Sequence, residues 1–135
     1  IHSVDSKKLL DEIEKVAAKH DKVQDILLQV NVAREASKSG MSVEEFPEVR
    51  DYAKTLPHVR VRGLMCMAPF FENPEEARPI FRVAYVLYED MKGYFPEGDI
   101  QYLSMGMTHD FEVALQEGAN IVRVGTAIFG ERVYN

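Results

Sequence analysis

Two short stretches of this chain hold residue types suited to binding an anion. Ser104-Met-Gly-Met107 places a hydroxyl two residues before a glycine, and Arg123-Val-Gly-Thr126 places a glycine beside a second hydroxyl. Glycine lets backbone N–H groups come close to an anion, and a helix N-terminus beyond it adds free donors and a favourable dipole. The plainer reading is two turns that need a glycine and a capping hydroxyl. Arg123 sharpens the choice. Strand alternation puts Arg123 and Gly125 on one face and Val122 and Val124 on the other. A guanidinium in so apolar a strand must have a partner, because an unpaired buried charge is very costly. Two partners stay open: a carboxylate in a structural ion pair, or a ring nitrogen or carboxylate of a ligand. Two residues of strand span about 6.6 Å, so one molecule could meet Arg123 at one end and Gly125 at the other.

Other reactive residues point less far. His2, His20, His58 and His109 have no metal-ligand spacing, so no metal is expected. The single cysteine, Cys66, precludes an internal disulfide; it follows a strand end, and reads as a buried, inert thiol in preference to a pocket-lining one. Glu72, Glu75 and Glu76 form a solvated helix start. His109 and Asp110 belong to the first turn of a helix, where Asp110 suits the dipole. Tyr102 reads as core or interface material.

The elements that must position the two stretches alternate along the chain. Residues 1–4 form a short strand. Asp5 or Ser6 then caps a helix to about His20, with Leu9, Leu10, Ile13, Val16 and Ala17 at helical spacing. Residues 25–31 form a strand apolar enough to be buried on both faces. A polar loop covers 32–41. Ser42-Val-Glu-Glu45 is a capping box opening a helix with Phe46, Val49, Ala53 and Leu56 inward, stopped by Pro57. The third strand spans 59–65, and Gly63 inside it marks close packing. Asn73-Pro-Glu-Glu76 starts a helix that runs to about Gly93, and Pro79 within it predicts a kink or break. The fourth strand covers 100–104. Thr108 caps a short helix bearing Phe111, Ala114 and Leu115, ended by Gly118. Residues 121–125 form the fifth strand.

This order argues an α/β fold with a parallel sheet, either an open doubly wound sheet or a barrel. No Gly-x-Gly-x-x-Gly opens a helix, which disfavours dinucleotide binding. Functional groups of such folds gather at strand C-termini, here Ser3–Asp5, Asn31, Met65–Met67, Ser104–Met107 and Arg123–Thr126. The 135 residues are 46% hydrophobic and 28% charged, with a formal charge of −6. A net acidic chain is a poor partner for nucleic acid. No apolar run reaches the roughly 20 residues of a membrane helix. A cytoplasmic home is expected.

Ser104-Met-Gly-Met-Thr-His-Asp-Phe-Glu112 followed by Ile121-Val-Arg-Val-Gly-Thr-Ala-Ile-Phe-Gly130 resembles the signature end of the pyridoxal 5′-phosphate homeostasis protein family. His2-Ser-Val-Asp-Ser6 resembles that family's fourth strand. Leu28-Gln-Val-Asn31 with Ser37-Lys-Ser-Gly40 resembles its fifth, and Arg62-Gly-Leu-Met65 its sixth. The resemblance implies a TIM-type (β/α)8 barrel related to the alanine racemase N-terminal domain, of which this chain holds about the last five βα units, strands four to eight, over residues 1–135. It implies a cofactor, pyridoxal 5′-phosphate (PLP), with the phosphate held by Ser104, Gly125 and Thr126 and by the backbone of Met105 and Gly106. It implies that Arg123 hydrogen-bonds the pyridine nitrogen. The implied function is a cytoplasmic, non-catalytic PLP carrier or buffer in vitamin B6 homeostasis.

The family's Schiff-base lysine stands at the end of its first strand, so it is expected to lie outside this chain. Of Lys7, Lys8, Lys15, Lys19, Lys22, Lys38, Lys54 and Lys92, none stands at a matching strand end, and Lys38, near the mouth, reads as a solvated loop charge. Five strands of eight cannot close a barrel and leave two edges exposed. A missing N-terminal segment or another copy of the chain is expected to complete it. Two alternatives remain: a PLP enzyme of the same fold type, such as an amino-acid racemase, and a fragment that keeps only phosphate binding.

Overall fold

The computed structural model describes residues 4–33 and 40–123. In the first unit, Ser6 is the cap of helix α1, Lys7–Lys19, its Oγ accepting from Leu9 N at 3.1 Å. Asp5 is not the cap; its carboxylate accepts instead from Gly40 N at 2.9 Å. Leu10, Ile13 and Ala17 are buried, while Val16, on the edge of the same stripe, is half exposed.

Strand β1, Gln24–Asn31, is followed by a two-residue strand β2, Met41–Ser42. The polar-loop reading of 32–41 overlooked β2, whose Met41 is buried. The capping box forms reciprocally: Ser42 Oγ accepts from Glu45 N, and Glu45 Oε1 from Ser42 N, both at 3.0 Å. It closes a turn from which helix α2 runs over Phe46–Lys54, so Leu56 lies beyond the helix it was expected to line. Strand β3 covers Val59–Cys66. A 3-10 turn at Pro74–Ala77 gives way to helix α3, Arg78–Met91. Pro79 thus sits in the first turn of α3, and the expected break falls just before it. Strand β4 covers Tyr102–Met107, α4 Phe111–Gln116 and β5 Ile121–Arg123. Among the described residues no helix is long and apolar enough to cross a membrane.

The strands form one parallel sheet in the order β2-β1-β3-β4-β5. Val4 makes a parallel bridge to Leu28 on the edge of β1 that β2 also uses. Apart from the two-residue β2, the chain therefore crosses the sheet in sequence order, from Val4 through β1, β3 and β4 to β5. All four helices contribute to one apolar cluster with Ile26, Leu28, Val30, Leu64, Cys66, Leu103 and Met105. Alternation puts Leu27, Gln29, Met65 and Ser104 on the opposite face, and these are buried as well. The helices thus share one side of the sheet, and the other side carries Gln29 and Ser104 beside the apolar Leu27 and Met65.

Two irregularities set where β4 runs. Arg62 is an extra residue in the β1–β3 ladder. Its guanidinium reaches Asp99 O at 2.9 Å and Asp25 Oδ2 at 3.3 Å and lies 5.3 Å from the Tyr102 ring centre. Tyr102 is therefore a half-exposed platform for Arg62 and not core. Pairing with β4 starts at Gly63 opposite Tyr102, so the strand begins two residues later than Ile100 and extends past Ser104. A Cβ on Gly63 would lie 1.8 Å from the Tyr102 carbonyl oxygen. Backbone cannot move aside as a side chain can. Gly63→Ala is expected to cost about 3 kcal/mol of folding stability, read as a lowered urea midpoint; an unchanged midpoint would show that the β3–β4 contact is looser than drawn.

Candidate functional site

The face of the sheet turned away from the helices holds one continuous row. Gln29 pairs with Met65, Met65 with Ser104, and Ser104 with Ile121. Ile121 shares its strand face with Arg123, two residues on. Arg123 therefore stands on the Ser104 side of the sheet, and its Nη1 donates to Ser104 Oγ at 3.0 Å. Ser104 has no exposed surface.

The second terminal nitrogen, Arg123 Nη2, is buried and has no hydrogen-bond partner among the described residues. Burial pushes the guanidinium down from its ordinary value, and the Asp110 charge opposes that shift. Arginine still keeps its proton at neutral pH. The site thus presents a fixed positive charge with one terminal nitrogen bonded to Ser104 and the other without an acceptor among the described residues. Such an arrangement suits an acceptor-bearing, anionic ligand at the C-terminal end of β4 and β5.

The turn after Ser104 has its own requirements. Ser104 pairs with Ile121 and Met107 with Arg123, so β4 carries one extra residue there. Gly106 supplies it at φ +101°. A Cβ at Gly106 would lie 2.7 Å from Ala114 Cβ and 3.2 Å from Phe111 Cα. The glycine therefore also lets α4 pack against the strand, a requirement that neither sequence reading gave it; its positive φ fits the plainer reading, a turn that needs glycine. Met105 points the other way, into the helix-side core, so only its backbone is available to a ligand. Asp110, and not Thr108, stands at the N-cap position of α4, and its side chain makes no bond to the helix. Asp110 Oδ1 accepts from Met107 N at 2.8 Å, and this bond fixes the turn. Arg78 braces the far end of α4, donating to Glu117 Oε2 at 2.6 Å.

Of the residues singled out in the sequence, the structure brings Ser104, Gly106 and Arg123 together. Gly125, Thr126 and Lys38 lie outside the described residues. Cys66 is buried on the helix side, its thiol pushed up to about 12 by burial, and it does not line this face. His109 precedes α4 instead of joining its first turn. Its Nε2 bonds the Phe71 carbonyl, and its ring lies 4.4 Å from that of the exposed Phe70. Sequence reasoning missed two residues. Gln29 is a buried polar group in the same row as Ser104; a glutamine inside Ile-Leu-Leu-Gln-Val was the available signal. Asp110 reads from the sequence as a helix-dipole residue, and nothing there separates that from the turn clamp it forms.

The family model for the alanine racemase N-terminal domain matches residues 1–133. The chain is 49% identical over 134 residues to the pyridoxal phosphate homeostasis protein of Aquifex aeolicus, covering 99% of this chain and 58% of that protein. The chain thus spans a little over half the length of this relative. It is also similar to PipY of Synechococcus elongatus PCC7942, which has been solved without PLP (TM-score 0.84, 32% identity) and with PLP bound (TM-score 0.77, 31% identity). Each match covers 96% of this chain and 60% of PipY.

Ser104→Ala isolates the Arg123 contact. It would leave both terminal nitrogens of a charged, partly buried group without an acceptor among the described residues. A loss of about 1–3 kcal/mol of stability is expected, measured as a lower urea midpoint at unchanged slope. No loss would mean that the guanidinium finds water or another acceptor at no cost.

Proposed function

We propose a function for a chain that belongs to the alanine racemase N-terminal domain family: it supplies the phosphate end of a PLP site in a protein that holds and hands on the cofactor without catalysis. The observation that carries this reading is the buried Arg123 Nη2, which has no acceptor among the described residues, beside the buried Ser104 hydroxyl. PLP offers acceptors of both kinds the pair can use, phosphate oxygens and a pyridine nitrogen. When bound, PLP supplies an aldehyde for amines and a ring that can draw electrons.

The chain's residues divide the work. Ser104, Gly125 and Thr126 hold the phosphate, with the N–H groups of Met105 and Gly106. Arg123 gives its free N–H to the ring nitrogen. A guanidinium donates a hydrogen bond there without giving up its proton. The ring nitrogen then stays unprotonated, and the ring is a poorer electron sink. That favours storage and delivery over racemisation, and it agrees with the names of the relatives.

The same reading makes the sheet part of a closed (β/α)8 barrel, with residues 1–135 giving strands four to eight. Two observations support it: all four helices pack on one face, and β1, β3, β4 and β5 follow one another across the sheet in chain order, the two-residue β2 alone standing outside that order. An open doubly wound sheet would carry helices on both faces. Further chain, from the same polypeptide or another copy, completes the circle and covers the edges at Val4 and β5.

Calorimetric titration with PLP and with inorganic phosphate tests the site. Thr126→Val keeps the side-chain shape and removes one donor to the phosphate. It is expected to weaken both ligands by about 1.5–3 kcal/mol. Undiminished affinity for both would remove Thr126 from the site, and no binding of either ligand by the unaltered protein would remove the reading itself.

A further inference from the structure

Asp110 is a carboxylate placed beside a site argued to bind an anion. It is 9% exposed. Its Oδ1 accepts from Met107 N at 2.8 Å, and its own N–H donates to Met107 O at 3.1 Å. These two bonds close the turn that follows Ser104–Gly106. Met107 is the ladder partner of Arg123. The carboxylate is therefore bonded to the strand position paired with Arg123, one residue beyond Gly106, and its charge favours the ionised guanidinium.

The obvious explanation is a helix cap. Asp110 does occupy the N-cap position of α4, but it makes no side-chain bond to the helix; its oxygen is turned back towards the strand. Nor does the turn need a charge. An asparagine oxygen accepts the same N–H bond, and Asn and Asp serve equally well in such positions. Nor is the charge needed to keep Arg123 ionised, because arginine does not lose its proton in proteins. What remains is its effect on a bound anion. That effect is repulsive, and low exposure limits its screening by salt.

We propose that Asp110 is a positioning residue with two effects: it clamps the Ser104–Met107 turn in its anion-accepting shape, and its negative charge holds down the affinity for the phosphate group. The inference rests on the anion-site reading given above and adds to it a means of release. A protein that hands its ligand on gains from binding it less tightly than the donors alone would allow.

Three proteins separate the two effects: the unaltered protein, Asp110→Asn and Asp110→Ala. Each is titrated with inorganic phosphate and with PLP. The Met107 amide is followed by hydrogen exchange, and thermal unfolding checks the fold. Asp110→Asn is expected to keep Met107 protected and to bind inorganic phosphate roughly fivefold more tightly. Asp110→Ala is expected to lose the protection and to bind more weakly than Asp110→Asn. Should Asp110→Asn fail to fold, Asp110→Ser, also a neutral acceptor, replaces it. Equal or weaker phosphate binding by a folded Asp110→Asn with Met107 protected overturns the charge effect. Undiminished protection in Asp110→Ala overturns the clamp. If none of the three binds either ligand while Met107 stays protected in the unaltered protein, the anion-site reading has failed and takes the affinity effect with it, whereas the clamp stands.

Discussion

A guanidinium that cannot discharge lies on the side of the sheet away from the helices, and much of the local structure follows from accommodating it. An ionised group out of water needs acceptors, and it cannot escape the cost by losing a proton as a lysine or histidine can. Ser104 provides one acceptor at 3.0 Å. That requires a small hydroxyl at this point of β4, where a larger apolar residue would have served a plain core. It also requires β4 and β5 to be in a register that brings Ser104 and Arg123 within reach although Arg123 pairs with Met107. The extra residue in β4 accomplishes this, and the residue that can adopt the needed backbone conformation at φ +101° is Gly106.

The two faces of the sheet obey different rules, and this division explains why a charged site can coexist with a tight core. On the helix side Leu28, Leu64 and Leu103 lie in one row and are fully buried against the helices. One residue further along, the row on the opposite face is Gln29, Met65 and Ser104. A slip of one residue in any strand would exchange these sets and drive a glutamine and a serine into the apolar layer. Gly63 guards against such a slip. It lies so close to the Tyr102 backbone that no residue with a Cβ fits.

Much of this could be read in the sequence because it rests on local signals. Ser6 capped its helix, the Ser42–Glu45 box closed as spaced, and Pro79 put a break near where one was due. The alternation of strands with apolar-striped helices gave a parallel sheet. Errors came where distant residues decide. The start of β4 is set by the bulge at Arg62 in another strand, so Ile100 looked like strand and is not. β2 is only two residues long and exists because β1 offers an edge. Asp110 beside a short helix has the composition of a cap, and only its partner, three residues back, shows that it bonds the strand. For the site, Ser104 and Arg123 were legible as types that an apolar strand would not otherwise hold. Their direct contact was not, since strand alternation assigns a face but not a partner.

The site residues share one chemical bias. In the proposed site, arginine at the ring nitrogen would leave the pyridine unprotonated, where a carboxylate there would favour protonation and a stronger electron sink. Aspartate beside the proposed phosphate position would oppose the anion, where asparagine would make the same turn without that cost. Each choice is poorer than an available alternative if the purpose is fast chemistry or tight binding. Local departures from the best choice tend to collect at functional positions. Two such departures, one on β5 and one in the turn that follows β4, point the same way in the proposed site: towards holding the ligand in an unreactive state and letting it go.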